Sequence, residues 1–225
     1  MNESDRRQLA RDGFLIVRKV VAETMLRHLR EEADSVARVA GTACVRHLRS
    51  RSMVFDALAR SSEFSAMLPE GLRPVRSILF DKTPEENWPV AWHQDLTICV
   101  AARYDLEGYG PWSTKDGVVH VQPPVELLEN MITLRLHLDH TAADNGALRV
   151  IPSSHRAGRL TSAAISLVTR EDEVVCECAA GDVLIMCPLL LHASSRSLAP
   201  ARRRVIHMEY ARDGDLHPSL TWNEP

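Results

Sequence analysis

Three residues in this chain have types and spacing that could hold a metal ion. His93 and Asp95 stand two apart in Trp92-His93-Gln94-Asp95, and His192 closes the long apolar run that begins at Asp182. Side chains on a β-strand alternate faces with a period of two, so His93 and Asp95 point the same way. Two imidazoles and one carboxylate can occupy one face of an octahedral ion and leave three positions open, the donor set of non-heme Fe(II) oxygenases. Taken singly, each has a plainer reading. The His-x-Asp pair describes a surface histidine before an acidic turn, and His192 describes a core histidine satisfied by a backbone carbonyl. Taken together, with Trp88 and Trp92 available as an apolar wall, they favour a metal site.

Arg202-Arg203-Arg204 opens a second constellation. The stretch alternates, with Arg203, Val205, His207 and Glu209 on one face and Arg204, Ile206, Met208 and Tyr210 on the other. A guanidinium held inside a barrel requires an anion, because a buried unpaired charge is costly. Its planar fork suits a carboxylate. Ser194, two residues past His192, shares the face of that histidine and offers a hydroxyl. Thr133–Asp139 alternates as well: Leu134, Leu136 and Leu138 on one side, Thr133, Arg135 and His137 toward the interior. Arg135 reads either as a ligand contact or as half of an internal salt bridge. Lys82 reads either as a ligand contact or as a rim charge.

These residues need a scaffold, and the patterning supplies one. Ser4 is a candidate cap for a short helix reaching Asp12, which Gly13 ends. Phe14–Val17 suits a buried strand. Met25, Leu29, Ala33, Val36 and Ala37 recur at helical spacing between Ala22 and Val39. The helical pattern resumes from Ser52 to Met67, with Met53, Leu58, Phe64 and Met67 as inward candidates. After Gly71 the pattern changes to short apolar runs broken by Gly, Pro, Asn and Asp, the mark of antiparallel β structure. Strands are expected near 74–82, 90–93, 97–101, 118–121, 131–139, 147–151, 174–178, 182–187, 190–193 and 203–211. Asn145-Gly146 is a strong turn signal. The expected fold is mainly β: a double-stranded β-helix, a cupin-like jelly roll, with N-terminal helices packed on one sheet. The expected organisation is one domain over 1–225, helical in 1–70 and jelly roll in 71–212. The aromatic and glycine-rich insert from Arg103 to Gln122 suits either an active-site cover or an ordered surface loop.

Composition sets outer bounds. With 225 residues, 45% hydrophobic and 25% charged, the chain is of globular type and long enough for a substantial core. A net charge of -3 offers no electrostatic reason to expect nucleic acid or an anionic membrane as partner. No run approaches the roughly 18 apolar residues of a membrane span. The charged start lacks a signal-peptide core. The cysteines, Cys44, Cys99, Cys176, Cys178 and Cys187, form no CxxC pair and read as reduced, mostly buried thiols. The expected location is the cytoplasm.

Phe80-Asp81-Lys82-Thr83-Pro84, Trp92-His93-Gln94-Asp95, Asn145-Gly146-Ala147-Leu148, Val150-Ile151-Pro152-Ser153-Ser154-His155 and His192-Ala193-Ser194 together resemble the phytanoyl-CoA dioxygenase-like family. The resemblance covers roughly residues 10–212. It implies a dioxygenase with Fe(II) as metal, 2-oxoglutarate as cosubstrate and dioxygen as oxidant, held on a double-stranded β-helix. By position, His93, Asp95 and His192 match the iron ligands. Arg203, eleven residues beyond the distal histidine, matches the 2-oxoglutarate arginine, with Ser194 beside it. Arg135 lies on a strand that lines the family's active site and is a candidate contact for 2-oxoglutarate or substrate. Because Asp95 is retained where related halogenases carry a small residue, hydroxylation or another oxidation is favoured over halogenation. His155 matches an element that is mostly structural. The expected partner is a small molecule, with a carboxylate-bearing one mildly favoured by the basic interior. Two rival readings remain at this stage: a cupin-type metalloenzyme that does not use 2-oxoglutarate, and a non-catalytic metabolite-binding jelly roll.

Overall fold

A computed structural model describes residues 1–168, 170–198 and 201–224. Its frame is a pair of antiparallel sheets. The larger runs β1 (Phe14–Val17), β11 (Val183–Met186), β8 (Ile132–His137), β13 (Arg203–Ala211), β3 (Arg73–Lys82) and β2 (Cys44–Arg46). The smaller runs β10 (Val174–Cys176), β9 (Leu148–Val150), β12 (His192–Ser194) and β4 (Val90–His93). A third sheet of β5 (Ile98–Val100), β7 (Val118–Val121) and β6 (Trp112–Lys115) flanks them.

Period-two alternation decides what each face of the larger sheet does. Leu134, Leu136, Leu138, Ile206, Met208 and Tyr210 are buried in one cluster with Leu26, Leu29, Ala33, Phe55 and Phe64 from the N-terminal helices. Each such side chain removed from water contributes roughly 1.5–3 kcal/mol. The opposite face meets the smaller sheet. At one end of that space Phe14, Leu148, Val150, Cys176, Leu184 and Met186 pack together and close the barrel. Cys176 and Cys178 are buried there as free thiols, and burial pushes both up to about 12. The result is a jelly roll with helices on one sheet.

The helical layer differs from the sequence expectation in phase and continuity. Asn2, not Ser4, caps α1 (Glu3–Asp12), in a capping box with Asp5. On α2 (Glu23–Ala40) the inward residues are Leu26, Leu29, Ala33 and Val36, while Met25 is 49% exposed. The stretch 52–67 forms no single helix. A single turn, α3 (Leu48–Arg51), precedes α4 (Met53–Ala59), and α5 (Ser62–Ser65) starts afresh at the Ser61 cap. Phe55 and Ala59, four apart, aim α4 at the core. Met53 sits two residues before Phe55, on the other side of the helix, and is 87% exposed.

Two strands were absent from the sequence reading. β2 and β6 have three and four residues, too few to show a period. β2 pairs with β3 and β1 pairs with β11, so residues 1–70 contribute edges to the larger sheet as well as helices. Asn145-Gly146 turns the chain as expected, with Gly146 at φ +67°; a Cβ there would lie 2.7 Å from the Ser195 carbonyl oxygen. Only glycine combines that backbone with that approach.

Candidate active site

Pairing of β12 with β4 sets His192 directly opposite His93. Asp95 lies just past the end of β4, where its backbone N–H donates to the Pro188 carbonyl at 2.9 Å. Gln94, between the two candidate ligands, points the other way. Its amide nitrogen donates to the carbonyls of Gly158 (2.8 Å) and Leu189 (2.6 Å), and its oxygen accepts from Leu160 N–H (2.8 Å). This buried clamp holds both neighbours on one side. The sequence marked Gln94 only as a spacer, although its polar side chain between two strand-face residues was the available signal.

The three side chains converge. His93 Nε2 lies 3.7 Å from Asp95 Oδ1, and His192 Nε2 lies 3.7 Å from Asp95 Oδ2. One donor atom from each lies within 4.8 Å of the others, close enough to share one ion. His93 Nδ1 is 2.8 Å from the Ala91 carbonyl, and His192 Nδ1 is 2.8 Å from the Leu190 carbonyl. A carbonyl only accepts, so each Nδ1 carries the proton and each Nε2 offers a lone pair to the shared centre. Burial pushes the His192 imidazole down to about 4, which keeps it neutral. Burial also works against the Asp95 charge. Its surroundings outweigh that cost and hold the carboxyl below the ordinary range. Asp95 Oδ2 is buried without a hydrogen-bond partner among the described residues. Two neutral nitrogens, one carboxylate and an unsatisfied oxygen fit a divalent metal of the Fe(II) type.

Beside the triad lies a cavity of about 190 Å³. The inward face of β13 lines it with Arg203, His207 and Glu209, and β3 adds Arg76, Ile78, Phe80 and Lys82. Arg135 on β8 and Ser194 on β12 complete the polar lining. Arg203 Nη1 donates to the Gly146 carbonyl at 2.7 Å, while its Nε is buried with no partner among the described residues. Burial, then the neighbouring Arg135, pushes the Arg203 guanidinium down to about 10. Arg202 and Arg204 point elsewhere. Arg202 grips Asp81 (2.7 and 2.5 Å), and Arg204 forks onto Asp139 (2.9 and 2.8 Å) and reaches Asp34 (2.8 Å). Of the three consecutive arginines, the middle one enters the cavity.

Arg135 forms no salt bridge among the described residues. It donates to His207 Nδ1 at 2.9 Å, which puts the imidazole proton on Nε2. That nitrogen meets Glu209 Oε1 at 3.0 Å, and the same oxygen accepts from Arg76 Nη1 at 3.0 Å. The chain Arg135–His207–Glu209–Arg76 braces the floor across three strands and leaves Arg135 Nε buried with no partner among the described residues. Sequence reasoning had put His207 and Glu209 on this face without giving them a role. It missed Arg76, although 76, 78, 80 and 82 share one face by period two.

Several placements differ from expectation. Trp88 lines the cavity, but Trp92, adjacent to His93, faces away and stacks beneath the guanidinium groups of Arg149 and Arg170, at 5.4 and 4.7 Å. Lys82 is no rim charge, being 2% exposed. No residue of the insert 103–122 lines the cavity. That insert supplies β6 and β7 and packs with Leu216, Leu220 and Trp222 in a separate core, and it meets the cavity wall through Asp116 on Arg46. His155 Nε2 meets the Ala10 carbonyl at 3.3 Å, tying that turn to α1.

Among the described residues, no helix is long and apolar enough to cross a membrane. Curated protein sequences yielded no significant match to the chain. Solved structures did. HygX from Streptomyces hygroscopicus, with nickel and 2-oxoglutarate bound, superposes with a TM-score of 0.67 at 17% identity, covering 95% of this chain and 87% of that one. The epimerase SnoN, in complex with Fe3+, alpha ketoglutarate and nogalamycin RO, gives 0.72 at 17% identity over 93% and 83%. Apo EctD from S. alaskensis gives 0.72 at 17% identity over 96% and 78%. At such identities the likeness speaks for the fold. Membership comes from the sequence itself: residues 9–205 match the phytanoyl-CoA dioxygenase family, and the chain belongs to that family of non-heme iron, 2-oxoglutarate-dependent oxygenases.

Proposed function

We propose that the protein hydroxylates an unactivated C–H bond of a small-molecule metabolite, consuming 2-oxoglutarate and dioxygen and releasing succinate and carbon dioxide. The carrying observation is the pairing, in one cavity, of the His93–Asp95–His192 triad with Arg203, a buried guanidinium that meets no carboxylate among the described residues. His93, Asp95 and His192 would hold Fe(II), and Arg203 with Ser194 would take the distal carboxylate of 2-oxoglutarate. When bound, iron and cosubstrate supply the activation of dioxygen and the removal of hydrogen from carbon. The protein's part is placement and exclusion of water. The Ala91 and Leu190 carbonyls fix both imidazoles, and Phe80, Val90 and Leu148 give the cavity apolar walls.

Arg135, whose Nε has no partner among the described residues, supports a substrate bearing a carboxylate. Five free thiols support a reducing, cytoplasmic setting. A second outcome of the same oxidation deserves a test, because the similar structures include an epimerase and the carbocyclase SnoK from nogalamycin biosynthesis. Mass spectrometry of the product separates them: hydroxylation adds one oxygen, ring closure removes two hydrogens, and epimerisation leaves the mass unchanged.

The test of the main reading is an anaerobic titration with Fe(II) and then 2-oxoglutarate, following the visible metal-to-ligand charge-transfer band. A saturable band, abolished in His192→Ala, is expected. Iron binding without such a band would shift the reading to a cupin-type metalloenzyme, and no iron binding to a metabolite-binding jelly roll.

A further inference from the structure

The cavity carries charge at its entrance as well as at the Arg203 end. Lys82 and Arg203 pair in register across β3 and β13 and mark that inner end. Ile78 lies four residues earlier on β3 and faces the same cavity, and across from it, on β2, stands Arg46. At about 3.3 Å per residue, Arg46 is offset from Lys82 by roughly 13 Å along the strand, too far to share one carboxylate with it. β2 ends the larger sheet and β4 ends the smaller one, and both edges line the cavity, through Cys44, Arg46, Val90 and His93. The Arg46 side chain is 30% exposed there, so an entering ligand meets it on the way to the triad.

Among the described residues, the Arg46 side chain meets one carboxylate. Its Nη1 donates to Asp116 Oδ2 at 2.5 Å, while Nε is buried with no hydrogen-bond partner. Asp116 belongs to no cavity wall. It opens the two-residue turn between β6 and β7, where Lys115 pairs with Val118. Asp116 and Gly117 both take positive φ, +51° and +78°, as tight hairpin turns require. The Asp116 carboxylate is 59% exposed, and an ion pair so open to water contributes little. Arg76, on the same cavity wall, is matched instead by Glu209, buried with it. Arg202 shows what a satisfied guanidinium looks like in this protein: Nε and Nη2 together grip Asp81 side-on. In Arg46 that same edge of the fork has no described partner, because Asp116 takes Nη1 alone.

We propose that Arg46 is a specificity-determining residue, which binds an oxyanion of the substrate, a carboxylate or a phosphate monoester, at the cavity entrance. This rests on the reading above that the cavity takes 2-oxoglutarate and an acidic substrate. Arg135 is the deep cation of that reading, and Arg46 is the cation met first. Asp116 holds the guanidinium by Nη1, so the Nε edge remains for the planar, two-oxygen grip that suits it. A neutral analogue of the same shape makes no such pair, and the entrance therefore selects for charge.

The experiment is calorimetry on protein loaded anaerobically with Fe(II) and saturating 2-oxoglutarate, so that added anions find the inner end filled. The probes are alkanoates, alkyl phosphates and alkanamides of four to eight carbons, matched in chain and different in head group. One class of anion is expected to bind about tenfold tighter than the amides, as a single charge-assisted contact predicts, and which class does so separates carboxylate from phosphate. Arg46→Met should bind anions and amides alike. Arg46→Lys keeps the charge and loses the fork, so a preference of about threefold should remain. Anions that bind no tighter than amides in the parent protein, or a preference undiminished in Arg46→Met, overturn the proposal. Should Arg46→Met fail to fold, an undiminished preference in Arg46→Lys overturns it equally. A loaded protein without the charge-transfer band overturns the 2-oxoglutarate reading itself, a result distinct from a normal band with no preference for anions.

Discussion

The two faces of β13 treat the same residue type in opposite ways. On the helical side, Arg204 is forked onto Asp139 and reaches Asp34. On the cavity side, Arg203 finds a backbone carbonyl for one nitrogen and nothing described for Nε. The contrast extends along the strand. Ile206, Met208 and Tyr210 join the main core, whereas His207 and Glu209 enter a polar chain ending at Arg135 and Arg76. Where a guanidinium holds elements together the protein provides its counter-charge. On the cavity side, no carboxylate meets the guanidinium among the described residues.

Variants can break or sharpen that contrast. The largest effect is expected from His192→Ala, which should remove all 2-oxoglutarate-dependent succinate formation above background while leaving the fold intact by circular dichroism. Retained turnover would take His192 out of the ligand set. Next, Arg204→Ala should cost about 2 kcal/mol of stability, because it removes the charge-assisted fork and leaves partly buried Asp139 with Arg30 at 3.4 Å. Denaturant unfolding measures this, and the 2-oxoglutarate KM should not move. Arg203→Met should do the reverse, raising that KM about a hundredfold through loss of a charge-assisted pair. The melting temperature of the ligand-free protein should hold or rise, since an unpaired buried charge is gone. If Arg203→Met lost as much stability as Arg204→Ala, the contrast between the faces would collapse.

A smaller effect concerns His137, on the cavity-facing side of β8. Burial pushes its imidazole down to about 3, from an ordinary value near 6.5. The folded protein keeps it neutral while the unfolded chain protonates it below about pH 6.5. Stability is therefore full above that pH and is lost as pH falls toward 3, at up to about 1.4 kcal/mol per pH unit. His137→Gln should flatten the decline between about pH 6 and 4, and an unchanged slope would assign the acid sensitivity to other groups.

Much of the site was legible before any coordinates, and the reason is the period of two. Alternation put His93 with Asp95, His192 with Ser194, and Arg203 with His207 and Glu209, because strand geometry leaves a side chain only two directions. The helices were less legible. Three-and-four spacing located α2, yet Met25 and Met53 fell on the wrong side, because an apolar side chain near a helix start reports composition more than phase. β2 and β6 were illegible because a strand of three or four residues has no period to read and is stabilised by its neighbours. The Arg103–Gln122 insert carried an aromatic and glycine signal that fits a lid and a packed hairpin equally, and packing chose the hairpin.

What the sequence determined by itself was the fold class, the family, and the chemical types at the centre: two imidazoles, a carboxylate, a hydroxyl and an arginine, all facing inward. These are properties of local pattern and of residue type, which survive without knowledge of neighbours. Only the tertiary structure decided which cations keep a counter-charge. Lys82 became a buried neighbour of Arg203 instead of a rim charge, and Arg135 met His207 instead of a carboxylate. Pairing of a charge depends on what a distant strand brings within about 3 Å, and no period in the sequence encodes that distance.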